Sequence, residues 1–476
     1  MGWGKSVPVD KLGQGLWLGP GLGLRPGNRL GLLVLLCCLA LCPGPVQGDK
    51  VLVVPVDGSH WLSMKLLVKE LAARGHEMVV LVPETSILIK GSDYHRTEIF
   101  RVPYNKEQLD KNINKIKDDM FRKTPKVTDI FMNVQGLIDF TNMQVKGCEG
   151  LLYDEPLMQR LRGEGFKMML TDPFLPCGSI IADSFNIPAV YFLKGIPCGM
   201  EDRAAQCPTP PSYVPRFFTG NTDHMDFLGR VKNMLMYSLE SYLCTVMFAS
   251  FDELTSRYLE KDMTYRELLG HGAIWLLRYD YSFEYPKPRM PNMVNIGGIN
   301  CGKRDPLPPM PEEKAKQFFD AFSRIPQRVV WRYTGVVPKN APANGDNVHR
   351  MAVRGVGEVL NLFDITSDKL VEALNKVIND KSYKEKMVKL SAVHKDRPIE
   401  PLDLAVFWSE FVMRHGGAEH LRPAAHDLNW IQYHSLDVFT LLLTIVLIVV
   451  IVTVKCCKVC FHKCCGTKRT IKKKSA

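Results

Sequence analysis

The chain has 476 residues, 46% of them hydrophobic, which is enough apolar material for two or three folded domains and excludes a disordered protein. The net charge of +11 is concentrated at the C-terminal end, where residues 455–476 contain eight Lys or Arg and no acid. Because no basic stripe alternates with aromatic residues and no nucleic-acid motif occurs, the composition does not favour a nucleic-acid-binding protein.

The N-terminal end has the pattern of a secretory signal peptide. Arg25 and Arg29 precede an apolar stretch at residues 30–41, which is too short to span a bilayer. Prolines and small residues follow it, and Gly48 is suited to a cleavage site. We therefore predict a signal peptide at residues 1–48.

A strand-loop-helix unit opens the mature chain. Residues 51–56 form a continuous apolar run, which is typical of a parallel strand covered on both faces. Leucines at helical spacing follow until Gly75, and residues 77–82 predict a second strand. The loop contains Gly58 but no G-x-G-x-x-G run, so it does not predict a dinucleotide site. His60 lies at the carboxyl end of this strand, where α/β enzymes place functional side chains.

A second strand end carries an acid. Residues 166–171 predict another apolar strand, which Asp172 follows directly before a helix at residues 175–182. A carboxylate at this edge of the sheet can orient an imidazole that acts as a general base and can stabilise its charge. Two simpler interpretations remain open: His60 caps and packs its turn, and Asp172 caps the helix that follows.

The first domain is expected at residues 49–290. A proline-rich break at residues 208–215 interrupts it, and a helix is predicted at residues 225–248. Apolar side chains in this middle part predict either a pocket for a greasy small molecule or ordinary core packing. They are Phe217, Phe218, Met234, Met236 and Tyr237.

The second domain, expected at residues 291–430, contains few predicted strands. Strands are predicted at residues 294–299, 329–333 and 357–363, and helices at residues 312–324, 368–379 and 402–414. A doubly wound nucleotide-binding sheet normally needs five or six strands, so part of this domain is missing.

The C-terminal end predicts a membrane anchor. Residues 438–454 are apolar apart from three threonines and predict one spanning helix, and the lysine-rich residues 455–476 should stay in the cytosol. Most of the chain would then lie in the lumen or outside the cell. The Lys473-Lys474-Ser475-Ala476 ending resembles a dilysine signal for return to the endoplasmic reticulum, although a polybasic contact with acidic lipid explains the charge nearly as well.

The cysteines fit this topology. Six remain in the expected lumenal part, where disulfides can form, but their spacing specifies no pairing. They are Cys148, Cys177, Cys198, Cys207, Cys244 and Cys301. The cysteines of the tail indicate palmitoylation or free thiols rather than a zinc site, because they lack paired ligand motifs.

Several segments together resemble vertebrate UDP-glucuronosyltransferases, most closely the first subfamily. They are Asp57-Gly-Ser-His-Trp, Leu170-Thr-Asp-Pro-Phe-Leu-Pro-Cys, Asn295-Ile-Gly-Gly, Val330-Trp-Arg-Tyr-Thr-Gly and the region of Asn429-Trp430. The resemblance implies two Rossmann-like domains facing a cleft, the glycosyltransferase B type. The first domain would bind a small lipophilic acceptor and the second UDP-glucuronic acid, with no cofactor and no metal.

The resemblance also implies roles for three residues. His60 corresponds to the base that deprotonates the acceptor hydroxyl, and Asp172 to its charge partner, in a transfer that inverts the donor linkage. Arg278 would reach the donor phosphates, with a surface salt bridge as the alternative for this residue.

The donor half departs from the family pattern. The family's Trp-x-Pro-Gln stretch, Thr-His-Gly-Gly turn and Asp-Gln pair, which grip the nucleotide sugar, do not occur in this sequence. A shorter strand and Gly-Ser turn, expected near Pro309, is absent as well. We therefore expect an impaired transferase in the endoplasmic reticulum membrane. The alternative is an inactive anchored isoform that pairs with full-length relatives and modulates them.

Overall fold

The computed structural model describes residues 48–120, 127–216, 219–301, 324, 350–360 and 366–465. Most of the expected signal peptide, the strand expected at residues 329–333, the C-terminal tail beyond residue 465 and nearly all of the helix expected at residues 312–324 lie outside these ranges.

Seven parallel strands form one sheet within the described residues. They are β1 (Lys50–Val54), β2 (Glu77–Pro83), β3 (Arg96–Phe100), β4 (Met168–Thr171), β5 (Ala189–Leu193), β6 (Ile274–Leu277) and β7 (Met293–Asn295). Their order in the sheet is β3-β2-β1-β4-β5-β6-β7. The chain therefore adds β2 and β3 on one side of β1 and then adds β4, β5, β6 and β7 on its other side. In sheets of this kind, ligands bind at the carboxyl ends of the two strands where the order reverses.

Helices connect most of these strands, and several of them cover the sheet. Those before β7 are α1 (Ser59–Ala73), α2 (Lys106–Met120), α3 (Val127–Leu152), α4 (Glu155–Arg162), α5 (Cys177–Phe185), α6 (Met200–Ala204), α7 (Phe227–Leu259) and α8 (Tyr265–Leu269). Those after it are α9 (Ser367–Asn379), α10 (Lys381–Lys395), α11 (Pro401–His415), α12 (Trp430–Tyr433) and α13 (Leu436–Cys465).

Strand β1 shows why the sheet is buried on both faces. Leu52 and Val54 join a core cluster with side chains of α3, α5 and α7, whereas Val51 and Val53 join a second cluster on the opposite face with α1. Successive strand residues point to opposite faces, so a run in which every residue is apolar requires cover on both sides. The expected α/β class with a parallel sheet is confirmed.

Two elements expected in the second domain pack with the sheet formed by β1–β6: one is a strand that extends it, and the other is a helix that covers one of its faces. The strand predicted at residues 294–299 is β7, which spans Met293–Asn295 and pairs in parallel with β6. Helix α11 packs against the face that α1 covers, where Ala405 and Val406 are fully buried. Apolar spacing predicts a helix and its buried face but not the element that will lie against that face.

The remaining predictions in this part have mixed outcomes. The helix expected at residues 368–379 is confirmed as α9. Of the strand expected at residues 357–363, the described part, residues 357–360, is not a strand. The helix expected at residues 225–248 continues to Leu259 as α7.

Two disulfides link the first part of the chain. They join Cys148 to Cys177 and Cys198 to Cys244, tying α3 to α5 and the loop after β5 to α7. Cys207 is a buried free thiol, and burial raises its pKa to about 11.

Helix α13 contains the predicted membrane anchor. Its residues Leu436–Lys463 are long and apolar enough to cross a membrane, and none of them is buried against the rest of the protein. The span expected at residues 438–454 lies inside this helix, which is therefore a candidate membrane span.

Candidate functional site

A half-buried carboxylate, that of Asp57, fixes the loop that carries His60. Gly58 lies before α1 with φ of 85°, a conformation that favours glycine. Asp57 accepts hydrogen bonds from the backbone nitrogen of Gly58 at 2.6 Å and from that of Ile87 at 2.5 Å. Its second oxygen also accepts from the hydroxyl of Ser86 at 2.9 Å. The loops after β1 and β2 are thereby tied together, and His60 begins the first turn of α1 from a fixed position.

Asp172 follows β4 directly and is 1% exposed. Its backbone nitrogen donates to the carbonyl of Val54, at the end of the neighbouring β1, over 3.3 Å. Its Oδ1 atom accepts from the backbone nitrogen of Phe174 at 3.0 Å. Helix α5 begins later, at Cys177, and has no side-chain cap. The alternative that Asp172 caps this helix is therefore wrong.

His60 and Asp172 form a hydrogen-bonded pair at the point where the strand order reverses. The His60 Nδ1 atom lies 2.6 Å from the Asp172 Oδ2 atom, and the His60 side chain is 26% exposed. The ring of Phe174 lies against the imidazole, with 5.6 Å between the ring centroids. Helix α1 has no side-chain cap, so His60 does not cap it.

This arrangement leaves the Nε2 atom of His60 available to accept a proton. Within the described ranges, the hydrogen-bond partner of His60 is Asp172 through Nδ1, and the second ring nitrogen, Nε2, has none. A neutral imidazole held through Nδ1–H can accept a proton at Nε2, and the buried carboxylate stabilises the positive charge that results.

Arg278 lies at the same edge, after β6. Its Nη1 atom donates to the Ser63 hydroxyl at 2.7 Å, and its Nε atom is buried without a hydrogen-bond partner among the described residues. Burial lowers the pKa of Arg278, and the charge of Asp172 partly opposes that shift. No ion pair of Arg278 occurs within 4 Å in the described part of the chain, so the surface salt bridge expected as the alternative is wrong.

Two residues that the sequence analysis did not single out position this arginine, one directly and one through the other. Ser63 lies one helical turn after His60, and its hydroxyl, which binds Arg278, also accepts from the Asn300 amide at 2.9 Å. The spacing of three residues in α1 places Ser63 on the face of His60, a signal that could have been used. Asn300 has no such signal, because it lies in a 3-10 turn at Ile299–Cys301, 237 residues away from Ser63 in the chain.

A second histidine–aspartate pair lies farther along the sheet. His394 Nδ1 is 2.8 Å from Asp280 Oδ2, and Arg397 Nη2 is 2.6 Å from the same oxygen. Arg397 Nη1 also donates to the carbonyl of Gly297 at 2.5 Å. Burial would raise the pKa of Asp280, but hydrogen bonds from Ser282 and the nearby His394 and Arg397 lower it below its ordinary value.

The structure describes three of the five apolar residues expected to line a pocket or to pack in the core, Met234, Met236 and Tyr237. Met234 is 52% exposed, and the ring of Tyr237 lies under the guanidinium of Arg216 at 4.5 Å. Phe217 and Phe218 lie outside the described residues. Among the residues that the structure describes, no group of three or more His, Cys, Asp or Glu is placed to hold a metal ion.

A parallel α/β sheet with a histidine–aspartate pair at its strand-order reversal defines an α/β enzyme of the doubly wound kind. The family model described as "UDP-glucoronosyl and UDP-glucosyl transferase" matches residues 49–310, 308–345 and 342–471. The chain belongs to this family of glycosyltransferases, whose members act on a UDP-sugar donor and an acceptor.

Vertebrate relatives match over most of the chain. A UDP-glucuronosyltransferase of Pleuronectes platessa is 43% identical over 82% of this chain and 99% of its own. UDP-glucuronosyltransferase 1A1 of Homo sapiens is 40% identical over 94% of this chain and 97% of its own. The solved structure of CalG4, the calicheamicin glycosyltransferase, covers 78% of this chain and 99% of its own, with 12% identity and a TM-score of 0.46.

The alignment with the human relative is longer than this chain. It extends over 523 positions, whereas the whole chain has 476 residues, so the relative contains stretches with no counterpart here. The segments of the family match meet near residues 308–310 and 342–345.

Proposed function

We propose that this chain is a membrane-anchored member of the UDP-glucuronosyltransferases. The reaction of these enzymes transfers glucuronic acid from UDP-glucuronic acid to a hydroxyl of a small lipophilic acceptor. The names of the vertebrate relatives support this donor. The observation that carries the proposal is the His60–Asp172 pair, with the Nε2 edge of the imidazole available at the strand-order reversal.

The pair has a defined role in this reaction. His60 Nε2 takes the proton of the acceptor hydroxyl as the acceptor oxygen bonds to the anomeric carbon of the donor. The bond from that carbon to the UDP oxygen breaks with its electron pair, so the α-linked donor gives a β-glucuronide and UDP. Asp172 stabilises the imidazolium during transfer, and we assign Arg278, which lies at the same edge of the sheet, to the donor phosphates.

We assign acceptor binding to residues 49–290 and donor binding to residues 291–430. Within the second range, β7 and α11 pack with the first sheet and tie the two parts together. No cofactor or metal takes part in this scheme.

The donor half lacks its binding signature, so the activity of this chain is impaired. No Thr-His-Gly-Gly turn or Asp-Gln pair occurs in the sequence. His415-Gly416-Gly417 is not a substitute, because it ends helix α11, where Gly416 has φ of 67°, and does not follow a strand. Without these segments the donor phosphates lose backbone and side-chain hydrogen bonds together.

A second candidate function rests on the same absence. This chain keeps the signal peptide, the acceptor-binding part and the anchor, but it lacks the segments that bind the donor. Such a chain is suited to pair with full-length relatives and modulate them. Co-expression with an intact relative tests this role. Co-purification with a change in the relative's turnover supports it, and unchanged turnover without co-purification rules it out.

The anchor defines the proposed location. We place the chain in the endoplasmic reticulum membrane as a type I protein, with residues 49–427 in the lumen and residues 455–476 in the cytosol. Protease added to sealed microsomes should remove only a C-terminal tag. Digestion of the large lumenal part would contradict this topology.

Restoration of the missing segments tests the proposed reaction. A chain in which both segments are supplied from a close relative should form a phenolic glucuronide from UDP-glucuronic acid, while the natural chain forms little or none. If the restored chain folds and binds UDP-glucuronic acid but transfers no sugar, the assignment of this acceptor half is wrong.

A further inference from the structure

A buried tyrosine binds the turn that carries Asp172. Tyr265 is the first residue of helix α8 and is 0% exposed. Its hydroxyl donates to the backbone carbonyl of Pro173 at 2.5 Å, although the two residues are 92 positions apart in the chain. Core packing alone does not account for this hydroxyl, because a phenylalanine would fill nearly the same space without burying a polar group.

One peptide group links this hydroxyl to the carboxylate of Asp172. The Pro173 carbonyl that accepts from Tyr265 and the N–H of Phe174 belong to the same peptide group. That N–H donates to Asp172 Oδ1 at 3.0 Å. A peptide group is planar, so a contact that fixes its oxygen also fixes the direction of its N–H. The other carboxylate oxygen, Oδ2, is the one that lies 2.6 Å from His60 Nδ1.

The tyrosine itself is held from several sides. A capping box between Thr264 and Glu267 starts helix α8. The backbone nitrogen of Tyr265 donates to Asp252 Oδ1, on α7, at 2.7 Å. The ring of Phe251 packs edge-on against the phenol ring, with 5.2 Å between the centroids. The hydroxyl therefore reaches the turn from a well-supported position in the core.

The phenol keeps its proton and is therefore a permanent donor. Burial raises the pKa of Tyr265 well above its ordinary value, and the nearby Tyr191 and Asp172 add to the shift. The Pro173 carbonyl consequently has the same hydrogen-bond donor throughout the neutral pH range.

We propose that Tyr265 is a positioning residue that orients Asp172 toward His60 through this peptide group. The inference rests on the proposed function, in which His60 takes the proton of the acceptor. Without the hydroxyl the peptide group can tilt, and the carboxylate loses part of its fixed direction. The imidazole form with its proton on Nδ1, which leaves Nε2 free to accept, is then held less firmly. Tyr265 acts through Asp172 and takes no part in the proton transfer itself.

Carbethoxylation of histidines in the full natural chain tests the inference. Diethyl pyrocarbonate reacts with an unprotonated imidazole nitrogen, so the rate at His60 reports how well Nε2 is presented. Mass spectrometry of proteolytic peptides gives the rate at each histidine separately. We expect Tyr265→Phe to lower the rate at His60 by roughly 2–10-fold, the range that one hydrogen bond contributes. His394, with a similar exposure of 29% against 26% for His60, is the internal control and should keep its rate.

Ser409→Ala is the matched control variant. It removes a fully buried hydroxyl that also donates to a backbone carbonyl, that of Ala405, at 2.8 Å. Its helix, α11, packs on the opposite face of the sheet from the cluster that contains Tyr265. The loss of a buried hydroxyl there should leave the rate at His60 unchanged.

A double variant separates positioning from a general loosening of the fold. Asp172→Asn alone should lower the rate at His60, and adding Tyr265→Phe should lower it no further, because the tyrosine acts through this carboxylate. Three results would each overturn the inference: an unchanged rate at His60 in Tyr265→Phe, an equal change at His394, or a Tyr265 effect that persists undiminished in the Asp172→Asn chain. An unchanged rate in Asp172→Asn alone is a separate result, which would remove the pair on which the proposed function rests.

Discussion

Two of the histidine–aspartate pairs among the described residues, His60–Asp172 and His394–Asp280, have similar distances but different surroundings. His60 lies 2.6 Å from Asp172, and His394 lies 2.8 Å from Asp280. The carboxylate of the first pair is 1% exposed and has no cationic partner within 4 Å among the described residues other than its histidine. The carboxylate of the second pair is 21% exposed and is shared with Arg397.

The difference shows that the pair alone does not define a reactive site. In the second pair, Arg397 already neutralises Asp280 and also binds the carbonyl of Gly297. The contacts of His394 and Arg397 therefore join the C-terminal end of α10 to the loops after β6 and β7. In the first pair, the carboxylate is available to stabilise an imidazolium, and Nε2 of His60, at the strand-order reversal, has no hydrogen-bond partner among the described residues. We therefore expect the first pair to affect turnover and the second to affect stability.

The largest expected effect separates the pairs by activity. In the restored chain, His60→Ala should lower kcat by about 10²–10⁴-fold and change acceptor binding little, because general-base catalysis contributes in this range. His394→Ala is the control and should keep turnover close to that of the parent. Near-normal turnover in the His60 variant would leave that residue with a packing role only.

A smaller effect is expected at the carboxylate of the first pair. Asp172→Asn removes the charge that stabilises the imidazolium but keeps the size of the side chain. A hydrogen bond to a charged group contributes about 1.5–3 kcal/mol, so kcat should fall by roughly 10–150-fold. Steady-state kinetics of the restored chain measures this. A variant that unfolds at the same denaturant concentration and retains full turnover would contradict the assigned role.

The third prediction concerns stability at the second pair. Arg397→Ala leaves the Gly297 carbonyl without this donor and removes one cationic partner of Asp280, which keeps His394 and Ser282, so the free energy of unfolding should fall by about 1–3 kcal/mol. Lys389→Ala, at an exposed position on the preceding helix α10, should change it by less than about 0.5 kcal/mol. Denaturant titration decides the matter, and equal effects of the two substitutions would show that the Arg397 contacts contribute no stability.

The smallest effect is a dependence of that stability on pH. The folded protein lowers the pKa of Asp280, so ionised Asp280 contributes stability above the unfolded-state pKa and loses it as the pH falls through the folded-state pKa. The stability difference between the parent and Asp280→Asn should therefore be greatest near neutral pH and shrink on acidification. A difference that grows at acidic pH would require another cause.

Three adjacent strands of the sheet could be predicted because they are apolar on both faces. Strands β1, β2 and β4 lie close to their expected positions, and the rule that functional side chains follow strands located His60 and Asp172. The distance between them could not be predicted, because it depends on the register of β1 with β4, in which Val54 lies opposite Thr171.

Contacts between distant segments could not be predicted. Arg278 binds Ser63 across 215 residues, and nothing in the local sequence of either residue specifies the other. The same limit explains α11: its apolar spacing is clear, but the sheet that it covers is formed by residues far away in the chain. Met234 on α7 shows the reverse case, since a side chain predicted to line a pocket or to pack in the core is 52% exposed.

Titration of the purified natural chain with its two proposed substrates tests the central claim most directly. The claim is that the acceptor-binding half has an intact His60–Asp172 pair, whereas the donor-binding half lacks the segments that bind UDP-glucuronic acid. Calorimetry should show saturable binding of a phenolic acceptor and none of UDP-glucuronic acid, because several hydrogen bonds to charged groups, each about 1.5–3 kcal/mol, are lost together. Saturable binding of UDP-glucuronic acid with glucuronide formation by this chain would contradict the account.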